Sequence, residues 1–267
     1  MDKAVILARG LGTRMRRDDA DAALNQEQAS VAGTGVKALI SVGRPFVDYL
    51  LSALASAGIR RVCLVIGPEH DAVRKHIKSL PFAKLSVEFA IQEEPKGTAD
   101  AVRSAKEFVG GDSFLMINSD SYYPISALRG LVELDDCGLV GFTRDGLASG
   151  NIESERIRNF AVAEATSDGW LQSIVEKPTD EQLHRLGPNA PISMNCWRFD
   201  QSIFQACESI GLSERGEYEL PTAVEYSMKH CQTRYRVVPC DEPVLDMTSR
   251  RDIRSLTEAM AKIEVTL

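Results

Sequence analysis

Between residues 3 and 117 this chain alternates short, nearly uninterrupted apolar runs with stretches of helical periodicity, and that alternation admits few folds. Residues 3–8 read as a strand buried on both faces. Pro45 opens a helix with Phe46, Val47, Leu50, Leu51 and Leu54 on one side, Gly58 closes it, and 61–66 follow as a strand rich in Val, Leu and Ile. A polar helix over 69–79, a strand over 85–91, a helix beginning near Thr98 and a strand over 114–117 continue the succession. The pattern predicts an α/β fold with a mostly parallel sheet covered by helices on both faces. Ligands of such sheets sit beyond the carboxyl ends of the strands, where residues 10–12, 92–97 and 118–120 fall.

After Gly138 the pattern changes to strands over 139–144, 159–165 and 171–176, with a hairpin turn at Asp168-Gly169. A strand over 192–199, helices over 201–209 and 218–229, a strand over 235–239 and a last helix from Ser249 complete the reading. Ile253, Leu256, Met260 and Ile263 keep helical spacing, so that last helix packs on the body. The polar, alanine-rich stretch 16–35 reads as an unusually long loop, a candidate lid. There is no internal repeat, low-complexity tract or linker. The 267 residues are therefore expected to form one domain, with halves at about 1–137 and 138–267.

Composition removes several classes of function. A formal net charge of −7 and a pI near 5.3 deny nucleic acid the cationic surface that counterion release requires. A small anionic ligand is still accommodated, since local cations can outweigh the global sign. Cys63, Cys137, Cys196, Cys207, Cys231 and Cys240 form no C-x-x-C pair and read as reduced thiols. No apolar run approaches the ~18 residues of a membrane span, and the first strand begins at once, with no targeting peptide ahead of it. A cytoplasmic protein is expected, away from membranes, with homo-oligomerisation left open.

The first strand breaks into Arg9-Gly10-Leu11-Gly12-Thr13-Arg14-Met15. Two glycines bring backbone N–H groups close to phosphate oxygens, and Arg14 adds a planar fork of donors. The spacing fits neither a dinucleotide fingerprint, which needs a small residue where Met15 stands, nor a P-loop. Alone, such a turn equally suits a strand that merely enters a helix.

Five further segments, in order along nearly the whole chain, make it resemble the sugar-phosphate nucleotidylyltransferases. Residues 10–15 look like that family's signature loop and 37–45 like its Lys-x-Leu segment before the first long helix. Residues 92–101 resemble its nucleobase loop, Asn118-Ser119-Asp120 its Asn-Gly-Asp, Glu176-Lys177-Pro178 its sugar-phosphate motif, and 192–199 its sugar-facing strand. The resemblance implies a Rossmann-like core with an added sugar-binding α+β region. It implies a reaction in which a sugar 1-phosphate and a nucleoside triphosphate give a nucleotide sugar and pyrophosphate, assisted by Mg²⁺.

Site roles follow from the same resemblance, each beside a plainer alternative. Leu7, Ala8, Gly10, Gly12, Thr13, Gln92, Gly97 and Thr98 would hold the nucleotide, with Gln92 and Gly97 facing the base. Arg14 and Lys37 would stabilise charge on the triphosphate, where lone cations are otherwise solvated. Asp120 and Asp246 would bind Mg²⁺, or else cap helices. Lys177 would meet the sugar's phosphate and Glu176 its hydroxyls, although a Glu-Lys pair is commonly a surface ion pair. Ser193, Asn195 and Glu217 would also border the sugar, or serve as plain polar and helix-capping residues.

Arg9 stands where the family has a small residue, Val36 where it has proline, Ser119 where it has glycine, and Met-Thr follow Asp246 in place of Val-Gly. Arg9 and Ser119 motivate a rival reading, a nucleotide-sugar-binding regulator with weak catalysis. A glycosyltransferase is disfavoured, since Ser119, Ser121 and Tyr122 around Asp120 provide no Asp-x-Asp pair.

Overall fold

In each central strand the side chains alternate between two cores. Ala4 and Ile6 of the first strand face one layer of helices while Val5 faces the other, and Leu64 and Val65 of its neighbour divide in the same way. A sheet buried on both faces explains why these strands read as continuous apolar runs. The structure is a computed structural model and describes residues 1–19 and 21–267; Ala20, inside the expected loop, lies outside the described residues.

The first half runs β1 (Lys3–Leu7), α1 (Thr13–Arg16), α2 (Gln26–Thr34), a 3-10 turn (Lys37–Leu39), α3 (Phe46–Ser56), β2 (Arg61–Ile66), α4 (Asp71–Ser79), β3 (Ser86–Ile91), α5 (Thr98–Ser104), α6 (Lys106–Val109), β4 (Phe114–Asn118), β5 (Ser121–Tyr122) and α7 (Ile125–Val132). The second half runs β6 (Cys137–Phe142), α8 (Arg144–Ala148), α9 (Ser154–Ile157), β7 (Ala161–Ala165), β8 (Leu171–Val175), α10 (Asp180–Leu186), β9 (Ile192–Phe199), α11 (Ser202–Ser209), α12 (Leu220–His230), β10 (Tyr235–Cys240), β11 (Leu245–Asp246) and α13 (Asp252–Met260).

The long path of the sheet is β10-β6-β9-β4-β1-β2-β3, parallel except at β9, which runs antiparallel to both β4 and β6. The β7–β8 hairpin is attached to it through β9. One sheet thus spans both halves. Among the described residues, no helix is long and apolar enough to cross a membrane.

Several expectations are corrected. The stretch 16–35 contains α2, begun by a capping box in which Asn25 accepts from the Gln28 N–H and Gln28 accepts from the Asn25 N–H. Its weak amphipathicity hides it from an apolar-periodicity reading. The strand expected to reach Arg144 ends at Phe142, because the Thr143 hydroxyl accepts from the Gly146 N–H and starts α8. The short helices α9 and α10 were not anticipated.

The start of the chain is tied to its last helix. Arg250 Nε donates to the Met15 carbonyl at 3.0 Å and its Nη1 pairs with Asp18 at 2.8 Å. Arg251 pairs with Asp19 at 2.6 Å and Asp21 at 3.1 Å. The expected lid is therefore fastened at several points.

Candidate active site

The segments that follow β1, β3 and β4 meet at their carboxyl ends and enclose a cleft of about 390 Å³. Leu7, Ala8, Gly10, Gly12, Thr13, Lys37, Gln92, Gly97, Thr98 and Asp120, all expected around a triphosphate, line this cleft. Arg14 does not line it; it is exposed on α1. Gly12 is required by the close approach of Gly35, since a Cβ on Gly12 (φ +59°) would sit 2.3 Å from the Gly35 oxygen. Gly97 is equally constrained: at φ +110° its missing Cβ leaves room for the backbone of Tyr218. That packing brings Glu217 to the wall of this cleft, whereas it was expected beside the sugar.

A smaller cleft of about 170 Å³ adjoins the first and is lined by Glu176, Ser193, Asn195 and Asp246, with Ser121, Asn159, Phe160, Ala161, Met194 and Thr248. Asn118 and Asp120 line both clefts. Lys177 lies outside this lining, exposed next to Glu176, with its backbone at φ +46°.

Asn195 reaches the cleft through an irregularity. Between the pairs Leu139↔Trp197 and Gly141↔Ser193 the ladder advances two residues on β6 and four on β9. The surplus bulges, Asn195 adopts φ +56°, and the Tyr123 hydroxyl pins the bulge by donating to the Met194 carbonyl at 2.6 Å. Asparagine tolerates this left-handed backbone better than most side chains.

Lys37 Nζ lies 2.8 Å from Asp120 Oδ2, so two residues distant in sequence form one ion pair at the junction of the clefts. Asp120 caps no helix: β5 follows it, and α7 is preceded by Pro124. Asp246 lies on the partner strand, with Ser121↔Asp246 in register and the Met247 N–H donating to the Asp120 carbonyl at 2.8 Å. Nor does Asp246 cap α13; Asp252 does the local work there, accepting from the N–H groups of Thr248 and Ser249.

The surroundings of Asp246 include residues that no sequence motif connects to it. Arg156 from α9 bridges Asp246 and Asp252, the Thr248 hydroxyl donates to Asp246 Oδ2 at 2.6 Å, and Asn151 fixes the Asp246 backbone from both sides. Burial raises the Asp246 carboxyl above the usual carboxylate range and the neighbouring Asp120 charge adds to the effect, while Thr248 and Arg156 oppose it. Glu176 is also shifted up: its side chain is accessible to solvent, but the concave wall around it removes enough water to disfavour the anion.

The unusual Arg9 borders the larger cleft, with its guanidinium tied to the segments that follow β2 and β3. Its Nη1 pairs with Glu69 at 2.7 Å and its Nε donates to the Gln92 carbonyl at 3.2 Å. Ser119 keeps the β1–β4 ladder going, its N–H donating to the Leu7 carbonyl at 3.1 Å. Both departures are absorbed without closing the cleft.

Among curated proteins, the chain is 25% identical over 225 residues to a low-salt glycan biosynthesis nucleotidyltransferase of Haloferax volcanii, covering 84% of this chain and 56% of that protein. It is 29% identical over 230 residues to a glucose-1-phosphate thymidylyltransferase of Streptomyces antibioticus, again with 84% and 56% covered. The chain thus spans little more than half the length of these relatives. In three dimensions it matches the crystal structure of a UDP-glucose pyrophosphorylase complexed with UDP-glucose at a TM-score of 0.75 and 16% identity, covering 98% of this chain and 99% of that one. At that identity the likeness is one of fold, a nucleotide-diphospho-sugar transferase-like sheet with flanking helices. The family model for nucleotidyl transferases spans residues 3–262, from the first strand past the last helix, so the chain is a member of that family.

Proposed function

We propose that this protein condenses a sugar 1-phosphate with a nucleoside triphosphate, giving a nucleotide sugar and pyrophosphate. The observation that carries the reading is the pair of adjoining clefts with Asn118 and Asp120 in the wall of each. Two anions must meet there. A phosphate monoester sheds its second proton near pH ~6, so the nucleophilic oxygen is already charged at neutral pH and needs no general base. The protein has to align the two reactants and offset their repulsion.

The larger cleft takes the triphosphate, with the glycine loop at the phosphates and Gln92, Gly97 and Thr98 around the base. Lys37 stands at the junction, where it stabilises charge on the group under attack. Arg14, exposed beside the loop, supports the departing pyrophosphate. Glu176, Ser193 and Asn195 receive the sugar in the smaller cleft, and Lys177 beside them meets its phosphate. Glu217 serves the nucleotide side.

The donor set fits Mg²⁺. Asp120, in the turn before β5, and Asp246, on β11 opposite Ser121, would supply oxygen ligands in the wall of the smaller cleft. Among the described residues no three Asp, Glu, His or Cys side chains are placed to hold a metal ion by themselves, so water and phosphate oxygens would have to complete the coordination of Mg²⁺. When bound, Mg²⁺ neutralises charge on the phosphates.

The names of the relatives favour glucose 1-phosphate with a thymidine or uridine nucleotide. Six free cysteines support a reducing, cytoplasmic setting. Pyrophosphate release, measured with a panel of triphosphates and hexose 1-phosphates, tests the reading. Turnover with one pair supports it; nucleotide binding without turnover of any pair replaces it with the regulator.

A further inference from the structure

Gln92 is held more completely than a base-facing side chain requires. It is 3% exposed, and its N–H donates to the Ile66 carbonyl at 2.9 Å. Its carbonyl accepts from Arg9 Nε at 3.2 Å, and its Nε2 donates both to the Gly97 carbonyl at 3.1 Å and to Asp100 Oδ2 at 2.8 Å. Oε1 is the one polar atom of Gln92 without a protein partner among the described residues, and Gln92 lines the larger cleft. Both holding groups are themselves buried and paired. Arg9 is 9% exposed and bonded to Glu69, and Asp100 is 6% exposed and bonded to Arg103 at 2.5 Å. Gly67 makes room for the arrangement, since a Cβ there would stand 2.4 Å from Arg9 Nε.

An unrestrained primary amide can rotate to offer either its oxygen or its NH₂ to a ligand. Here rotation would turn Oε1 toward the Gly97 oxygen and the Asp100 carboxylate, leaving two acceptors facing an acceptor in a buried place. The geometry points to Arg9 and Asp100 as nucleobase-specificity residues that act through Gln92. Arg9 fixes the backbone of the base loop, Asp100 fixes the amide with its oxygen outward, and the cleft takes a base edge that donates an N–H at that point. Arg9 thereby gains a purpose at a position where the family has a small residue. The inference rests on the nucleotide reading of the larger cleft.

The test uses the whole protein with ATP, GTP, CTP, UTP and dTTP, each measured for binding by calorimetry and for pyrophosphate release with glucose 1-phosphate. The wild type is expected to prefer one triphosphate over the worst by at least about a hundredfold in affinity. Asp100→Leu and Arg9→Ala should raise KM for the preferred triphosphate at least about tenfold and compress that ratio, with kcat and the KM for glucose 1-phosphate little changed. Arg9→Lys should behave like Arg9→Ala, because an ammonium keeps the charge but lacks the fork that spans Gln92 and Glu69. Gly67→Ala, which crowds Arg9 without removing it, should give the same compression. Substitutions that lower thermal stability yet leave the base ratio intact overturn the inference, as does a wild type that binds all five equally. Selective binding that the substitutions compress, in a wild type without turnover, supports the inference while sinking the proposed catalysis. Failure to bind any triphosphate sinks both.

Discussion

Asp120, just before β5, and Asp246, at the end of β11, meet at one end of a two-stranded ladder, yet they are held in opposite ways. The side chain of Asp120 is 28% exposed and has Lys37 as its ion-pair partner. Asp246 is 5% exposed and is gripped by Arg156 and Thr248, with Asn151 on its backbone. A carboxylate with one partner at a solvent-reachable junction can exchange that partner for a ligand at little cost. One inside a buried ionic ring is a fixture, and removing it strands the cation it holds. In the proposed reaction the first would serve the chemistry and the second chemistry and architecture together.

The largest effect should come from Asp120→Asn, with kcat falling by about a thousandfold or more, equivalent to some 4 kcal/mol of barrier, while unfolding free energy changes by less than about 1 kcal/mol. Pyrophosphate-release kinetics beside urea titration read both quantities; normal turnover would remove Asp120 from the mechanism. Asp246→Ala should lower activity too, but its signature is a stability loss of about 3 kcal/mol, because Arg156 and the Thr248 hydroxyl are both left without their buried acceptor. Equal stability of the two variants would erase the contrast.

Lys177→Ala probes the exposed lysine beside the smaller cleft. Its KM for the sugar phosphate is expected to rise about tenfold, with the KM for the triphosphate steady, as befits one charged contact. An unchanged KM for the sugar phosphate would withdraw the role.

The smallest effect concerns pH on the nucleotide side. His70 is buried, accepts the Gly67 N–H at its Nδ1, and is shifted below the usual histidine range chiefly by that burial. A base whose folded-state proton affinity is lowered withdraws stability as pH falls through its unfolded value of about 6.5 toward the folded one. His70→Asn should flatten the decline in melting temperature between about pH 6.5 and 5. An unaltered slope would assign the decline to other groups.

Much of the fold was legible because apolar periodicity and buried parallel strands describe the same constraint. What escaped was short and polar. α2 is begun by Asn25 and Gln28 with little apolar stripe behind them, and α9 and α10 have four and seven residues. The larger cleft could be anticipated from loops that must converge at one rim. Three site details could not. The Arg156 grip on Asp246 joins residues 90 apart, the bulge that aims Asn195 depends on a register shift between strands, and Glu217 follows the backbone of Tyr218 to Gly97. Such features belong to tertiary pairing, which no local spacing announces.

Arg250 grasps the carbonyl of Met15, 235 positions earlier, only four residues beyond Asp246. The helix after the glycine turn and the chain just beyond β11 are consequently joined by a single side chain, like two leaves on one hinge pin. Loss of the Arg250 side chain would therefore release the start of α1 from the segment that leads into the closing helix.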